Sequence, residues 1–117
     1  MTDIYRTAYP RLPEKGMFKP YALKRFFTLS DEDINISQLY TSGLHNQLNF
    51  LVLFKLFELL NYFPPTQDIP DKIYKYVGKQ LDIENLKSKE ISKTTKYRYY
   101  SIILNIKGFS IFDITGE

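Results

Sequence analysis

The sequence predicts an all-α protein: a compact bundle of about five helices around one central hydrophobic helix at residues 44–63. Three observations predict it. Leu44 to Phe63, LHNQLNFLVLFKLFELLNYF, carries Leu, Val, Phe or Tyr at thirteen of its twenty positions. Helical spacing puts an apolar side chain on nearly every side of such a segment, and a helix apolar almost all round is buried on most faces. Helix start and stop signals recur around it: Ser30 before three acids, Pro70 before Asp71, and Ser92 and Gly108 bracketing a periodic run. Finally, Ile73, Tyr76, Val77 and Leu81 recur at helical spacing on one side of their segment.

At 117 residues the chain is read as one domain, with an extended basic N-terminal arm at 1–25 and a helical body at 26–117. The arm holds three of the six prolines, Pro10, Pro13 and Pro20, which argues against a long helix there. It either packs Tyr5, Tyr9, Met17 and Phe18 piecemeal or is partly disordered.

The first helix of the body starts at Ser30, whose hydroxyl suits an N-cap, with Asp31, Glu32 and Asp33 favoured by the helix dipole. It runs to about Tyr40, with Ile34, Ile36, Leu39 and Tyr40 available for burial. Thr41, Ser42 and Gly43 turn the chain into the central helix. On that helix Gln47, Lys55, Glu58 and Asn61 fall within about one third of the circumference, the stripe expected to reach water. Pro64 and Pro65 are expected to end it. A membrane span is rejected, because the unbroken apolar run is only Phe50 to Phe54, and Lys55 and Glu58 interrupt the second half of the helix.

Pro70 and Asp71 start the next helix, which carries Lys72, Lys75 and Lys79 on the face away from its apolar side. A short helix from Asp82 to Leu86 comes after it, and residues 87–91 read either as its end or as loop. The last helix is Ser92 to Lys107, SKTTKYRYYSIILNIK. Thr95, Tyr99, Ile102, Ile103 and Ile106 form its inward stripe; Thr94, Tyr97, Arg98, Ser101 and Asn105 face outward, with Lys93 and Lys96 at the flanks. The tail, with Phe109, Ile111 and Phe112, is expected to pack back on the core.

Composition excludes several chemistries. The absence of cysteine removes disulfides, thiolate metal sites and cysteine nucleophiles, and suits a cytoplasmic location. His45 is the single histidine, so no histidine cluster can hold a metal. Neither a glycine-rich phosphate loop nor a G-x-S-x-G elbow is present. No active site, cofactor or small-molecule substrate is therefore expected.

Charge points elsewhere. Residues 1–30 hold six basic and two acidic side chains, residues 31–70 one and five, and residues 71–107 nine and four. Two basic segments flank an acidic middle, a distribution that suits an anionic partner, nucleic acid first. A purely solvated lysine surface is the plainer alternative. On the last helix Arg98 can reach guanine edges or a phosphate. Lys93 and Lys96 suit phosphates, Thr94 can hydrogen-bond to either, and Tyr97 offers stacking area. Lys72, Lys75 and Lys79 suit non-specific phosphate contact, and the two lysine-bearing helices are read as a helix-turn-helix-like pair.

Taken together, five stretches resemble the N-terminal domain of the Tn-three family of replicative transposases. They are FTLSDED at 27–33, GLHNQLNF at 43–50, IPDKIYKYVGKQLDI at 69–83, TKYRY at 95–99 and GFSIF at 108–112. The resemblance implies a helical module that binds double-stranded DNA at the transposon's terminal inverted repeats, possessing none of the distant acidic-triad catalytic domain. Asn46, Leu48, Phe50, Gln80, Leu81 and Gly108 fit the family pattern. Ser42, Gln47 and Asn49 stand where arginine, arginine and glycine are common, and Thr95-Lys96-Tyr97-Arg98-Tyr99 replaces T-R-x-x-H. These departures move the expected DNA contacts from the 43–49 turn to the last helix. Other transposase subunits are the further partners implied, and a protein-interaction or regulatory module from a truncated transposase is the alternative function.

Overall fold

The computed structural model describes residues 19–83 and 91–108, and five α-helices succeed one another there. They are α1 (Pro20–Phe27), α2 (Asp31–Tyr40), α3 (Leu44–Leu60), α4 (Asp71–Gln80) and α5 (Lys93–Ile106). A 3-10 turn at Thr66–Asp68 leads into α4, and no strand occurs among the described residues. The all-α class holds, with α3 at the centre: it packs against α1, α2, α4 and α5, and α1 also packs directly on α4.

The apolar density of α3 explains its place. Every residue from Gln47 to Phe54 is buried, as are Leu56 and Phe57. Phe50 is wholly enclosed, meeting Tyr40 and Phe54 in stacked geometry and Tyr99 of α5 edge-on at 5.4 Å. Around α3 the core is completed by Phe27 of α1, Ile73 and Val77 of α4, Ile103 of α5 and the loop residue Ile69.

Several expectations change. Helix α3 ends at Leu60, three residues short of the expected Phe63. Asn61 takes a left-handed conformation (φ 67°) and its N–H bonds back to the Phe57 carbonyl, so the helix is closed before the prolines are reached. The polar stripe of α3 is not a water-facing stripe throughout. Gln47 is buried and donates from Nε2 to Ser37 Oγ at 2.8 Å, and Lys55 donates to Asp33 Oδ2 at 3.1 Å. Helix α2 docks on that stripe through polar contacts. Leu39 and Tyr40, expected inside, are 76% and 41% exposed, with Tyr40 keeping one contact to the core through Phe50.

Residues 20–25 are helical, not extended. Pro20 occupies the first turn of α1, where its missing N–H costs nothing, and Ala22, Leu23 and Phe27 are buried. The rest of the expected arm, with Tyr5, Tyr9, Met17 and Phe18, lies outside the described residues.

The short helix expected from Asp82 is absent over its described part. The Ile83 N–H bonds to the Gly78 carbonyl and the Asp82 N–H to Lys79, with Asp82 left-handed at φ 63°. That is a Schellman closure of α4, and it turns the chain away from helix. Residues 84–90 and the tail from Phe109 lie outside the described residues. The α4–α5 connection spans Leu81 to Ser92. A helix-turn-helix joins its two helices by a turn of roughly three or four residues, fewer than the twelve sequence positions from Leu81 to Ser92.

Candidate nucleic-acid interface

Helix α5 begins as expected. Ser92 Oγ accepts from the Thr95 N–H at 3.1 Å and donates to Thr95 Oγ1 at 2.9 Å. Tyr99 and Ile103 are buried, and Thr95, Ile102 and Ile106 half-buried, so the inward stripe seats α5 on α3. That seating leaves Lys93, Thr94, Tyr97, Arg98 and Asn105 exposed on the outer face. Lys96 departs from them: it is half-buried on the flank, with Nζ 5.8 Å from the centre of the Tyr97 ring. Ser101, expected to face outward, is half-buried too.

Tyr97 stands at the outer end of an aromatic ladder. It meets Tyr100 edge-on at 5.7 Å; Tyr100 stacks on Phe63 at 4.0 Å, and Phe63 stacks on buried Phe57 at 4.8 Å. Burial pushes the Tyr100 phenol up to about 12, with Tyr97 adding to the shift. Arg98 lies with its guanidinium 5.6 Å from the Tyr99 ring centre. Burial raises the Tyr99 phenol, and Arg98 partly offsets that rise.

Helix α4 presents Lys72, Lys75 and Lys79 on its exposed face, opposite buried Ile73 and Val77. Tyr74 and Gly78 are also buried, on the side of α4 that lies within electrostatic range of Tyr100. In the sequence, Lys24 and Arg25 carry no signal beyond the charge of a basic arm. The structure puts both, exposed, on the last turn of α1, a helix packed on α4. The signal for that helix is Pro20 followed by apolar Ala22, Leu23, Phe26 and Phe27.

The cations fall into two groups. Lys55 and Lys107 are engaged by acids: Lys55 bridges Asp33 at 3.1 Å and Glu58 at 3.0 Å, and Lys107 pairs with Glu58 and lies over the Phe54 ring. Burial pulls the Lys55 ammonium down, but the Glu58 and Asp33 carboxylates outweigh it and the net shift is upward. Lys24, Arg25, Lys72, Lys75, Lys79, Lys93, Lys96 and Arg98 have no ion-pair partner among the described residues.

A family model described as a domain of unknown function, DUF4158, matches residues 1–116. The chain belongs to the DUF4158 family. No curated protein and no solved structure matches it. The DUF4158 match takes in all five helices and each of the five stretches that carry the transposase resemblance. His45, the single histidine of this DUF4158 domain, is exposed in the first turn of α3, where its carbonyl accepts from Asn49 Nδ2 at 3.0 Å. Asp33 is occupied by the Ser30 N–H and Lys55, so the acid run is the capped start of α2. Among the described residues no group of three His, Asp or Glu side chains is placed to hold a metal ion, and no helix is long and apolar enough to cross a membrane.

Proposed function

We propose that this domain is a double-stranded DNA-binding module, similar to the part of a Tn-three-type replicative transposase that recognises the terminal inverted repeats. The observation that carries the reading is the separation of charge. Lys55 and Lys107 are neutralised by Asp33 and Glu58, while the cations of α4 and α5 stand without acidic partners among the described residues. Unpaired, exposed cations on rigid helices attract a polyanion and release its counterions on contact.

Within this reading Arg98 contacts a base edge or a phosphate, Lys93 and Lys96 take phosphates, Thr94 hydrogen-bonds, and Tyr97 supplies a flat contact surface. Lys72, Lys75 and Lys79 hold the backbone. The way the resembling stretches touch supports treating them as one unit: Gln80 from the fourth helix bonds to Phe27 and Leu29, and Phe50 meets Tyr99.

Titration against a transposon-end duplex and a scrambled duplex at several salt concentrations tests it. For about five phosphate contacts, log K falls with log salt at a slope of roughly −4 to −5. Absence of binding at low salt sinks the reading. Arg98→Ala costs about 1–3 kcal/mol of discrimination between the two duplexes if Arg98 reads a base. The second reading, a protein-interaction or regulatory module, is favoured by exposed Leu39, Tyr40 and Leu44 around the α2–α3 turn. A concentration-dependent molar mass without duplex binding selects it.

A further inference from the structure

We infer that α1 and α4 together form one basic face that receives the phosphate backbone of duplex DNA, so that Lys24 and Arg25 act with Lys72, Lys75 and Lys79. The inference rests on the proposed DNA-binding function and assigns part of the contact to a segment that resembles a terminal arm in the sequence.

The two halves of the face are distant in sequence and are brought together by specific bonds. Gln80 Oε1 accepts from the Leu29 N–H at 2.8 Å, and Gln80 Nε2 donates to the Phe27 carbonyl at 2.9 Å. Thr28 Oγ1 donates to the Lys24 carbonyl at 2.6 Å and lies 3.2 Å from the Tyr76 hydroxyl. The last turn of α1, which carries Lys24 and Arg25, is therefore held against the Tyr76–Gln80 stretch of α4. On α4, Lys72 and Lys79 are the i−4 and i+3 neighbours of Tyr76 and so lie toward the same side. Lys72, Lys75 and Lys79 occupy an arc of only about 60°.

All five cations are exposed and without ion-pair partners among the described residues. Asp71, at the start of α4, lies at the edge of the arc, and exposed Asp31 and Glu32 stand just past the α1–α2 turn. The shape of the charge selects the partner. Lys72 to Lys79 spans roughly 10 Å of helix axis, and the last turn of α1 adds the exposed Lys24 and Arg25. A small anion meets one or two of these groups. A duplex, with about one charge per 1.7 Å of its axis, is long enough to engage cations of both helices.

Neutral variants test the face with duplex binding measured across a salt series. Lys24→Gln/Arg25→Gln and Lys72→Gln/Lys79→Gln should each make the log K against log salt slope shallower by about 2, with affinity about tenfold weaker at moderate salt. A Lys24→Gln/Arg25→Gln protein that keeps the slope and affinity of the unsubstituted chain, while the unsubstituted chain binds, overturns the α1 assignment alone. No duplex binding by the unsubstituted chain, or binding only to phosphatidylserine vesicles, overturns the proposed function itself. Backbone amide shifts at residues 19–28 on adding duplex to the unsubstituted protein give a readout independent of variant folding. Shifts there support the face, and their absence alongside shifts in α5 overturns it.

Discussion

Gln80 shows how much can hang on one amide. It is half-buried, and its two ends serve three backbone groups: the Leu29 N–H, the Phe27 carbonyl and, at 3.3 Å, the Tyr76 carbonyl. Phe27 ends α1, so its carbonyl has no partner within its own helix. Gln80→Ala removes donor and acceptor together and leaves the Leu29 N–H and the Phe27 carbonyl without their side-chain partner in a partly buried site, at a cost of about 2–3 kcal/mol. Urea unfolding at neutral pH measures it; a loss under about 0.5 kcal/mol would show that water replaces the amide. Nothing local in the sequence marks Gln80 for this task. Its partners lie more than fifty positions away, and only the transposase resemblance singled it out.

At the scale of elements, the buried faces of α5 and α4 were legible; for α2 the span from the Ser30 cap to Tyr40 was legible and the buried face was not. The apolar stripes of α4 and α5 are regular, so periodicity assigned their principal buried and exposed faces correctly. Helix α2 carries a weak stripe, Ile34, Ile36, Leu39 and Tyr40, of which Ile36 and Tyr40 reach the core, and its buried residues are the polar Asp33 and Ser37. A buried Ser–Gln bond and a half-buried Lys–Asp pair have no periodic signature. The α2–α3 turn depends on Gly43, which sits at φ 92° and ψ 149° with open space where a Cβ would stand. Space is therefore not the obstacle to a side chain there; the backbone conformation is. Gly43→Ala should destabilise by about 1–3 kcal/mol and lower the thermal midpoint. An unchanged midpoint would mean that the turn relaxes into an ordinary conformation.

At the scale of the molecule, alkaline pH is expected to destabilise the bundle. Burial raises the phenols of Tyr74 and Tyr100, the latter to about 12. Each folded phenol holds its proton more tightly than the unfolded one, so above pH about 10 the unfolded chain releases protons that the folded chain keeps. Stability falls with rising pH from there to about 12. Lys55 acts in the same sense, because its raised folded value makes its ion pairs fully effective below the ordinary lysine range and lost as the pH rises through that value. Urea midpoints measured between about pH 8 and 11 should be flat at first and then decline. Tyr100→Phe, which keeps the ring on Phe63, should lessen the decline. An equal decline in that variant would assign the effect to other groups.

The amino-acid order alone was enough for the helical class, the central position of α3, the capped starts of α2 and α5, and the outward lysines of α4. Each of these is encoded within a few neighbouring residues, by apolar periodicity or by a cap that reaches three positions along the chain. The early end of α3, the polar seating of α2 and the union of α1 with α4 came only with the folded chain. The last two depend on bonds between residues far apart in sequence: Gln47 with Ser37, Lys55 with Asp33, and Gln80 with Phe27 and Leu29. The same holds for charge. Composition counts every lysine alike, whereas folding sets Lys55 and Lys107 against carboxylates and leaves Lys24, Arg25, Lys72, Lys75 and Lys79 facing water.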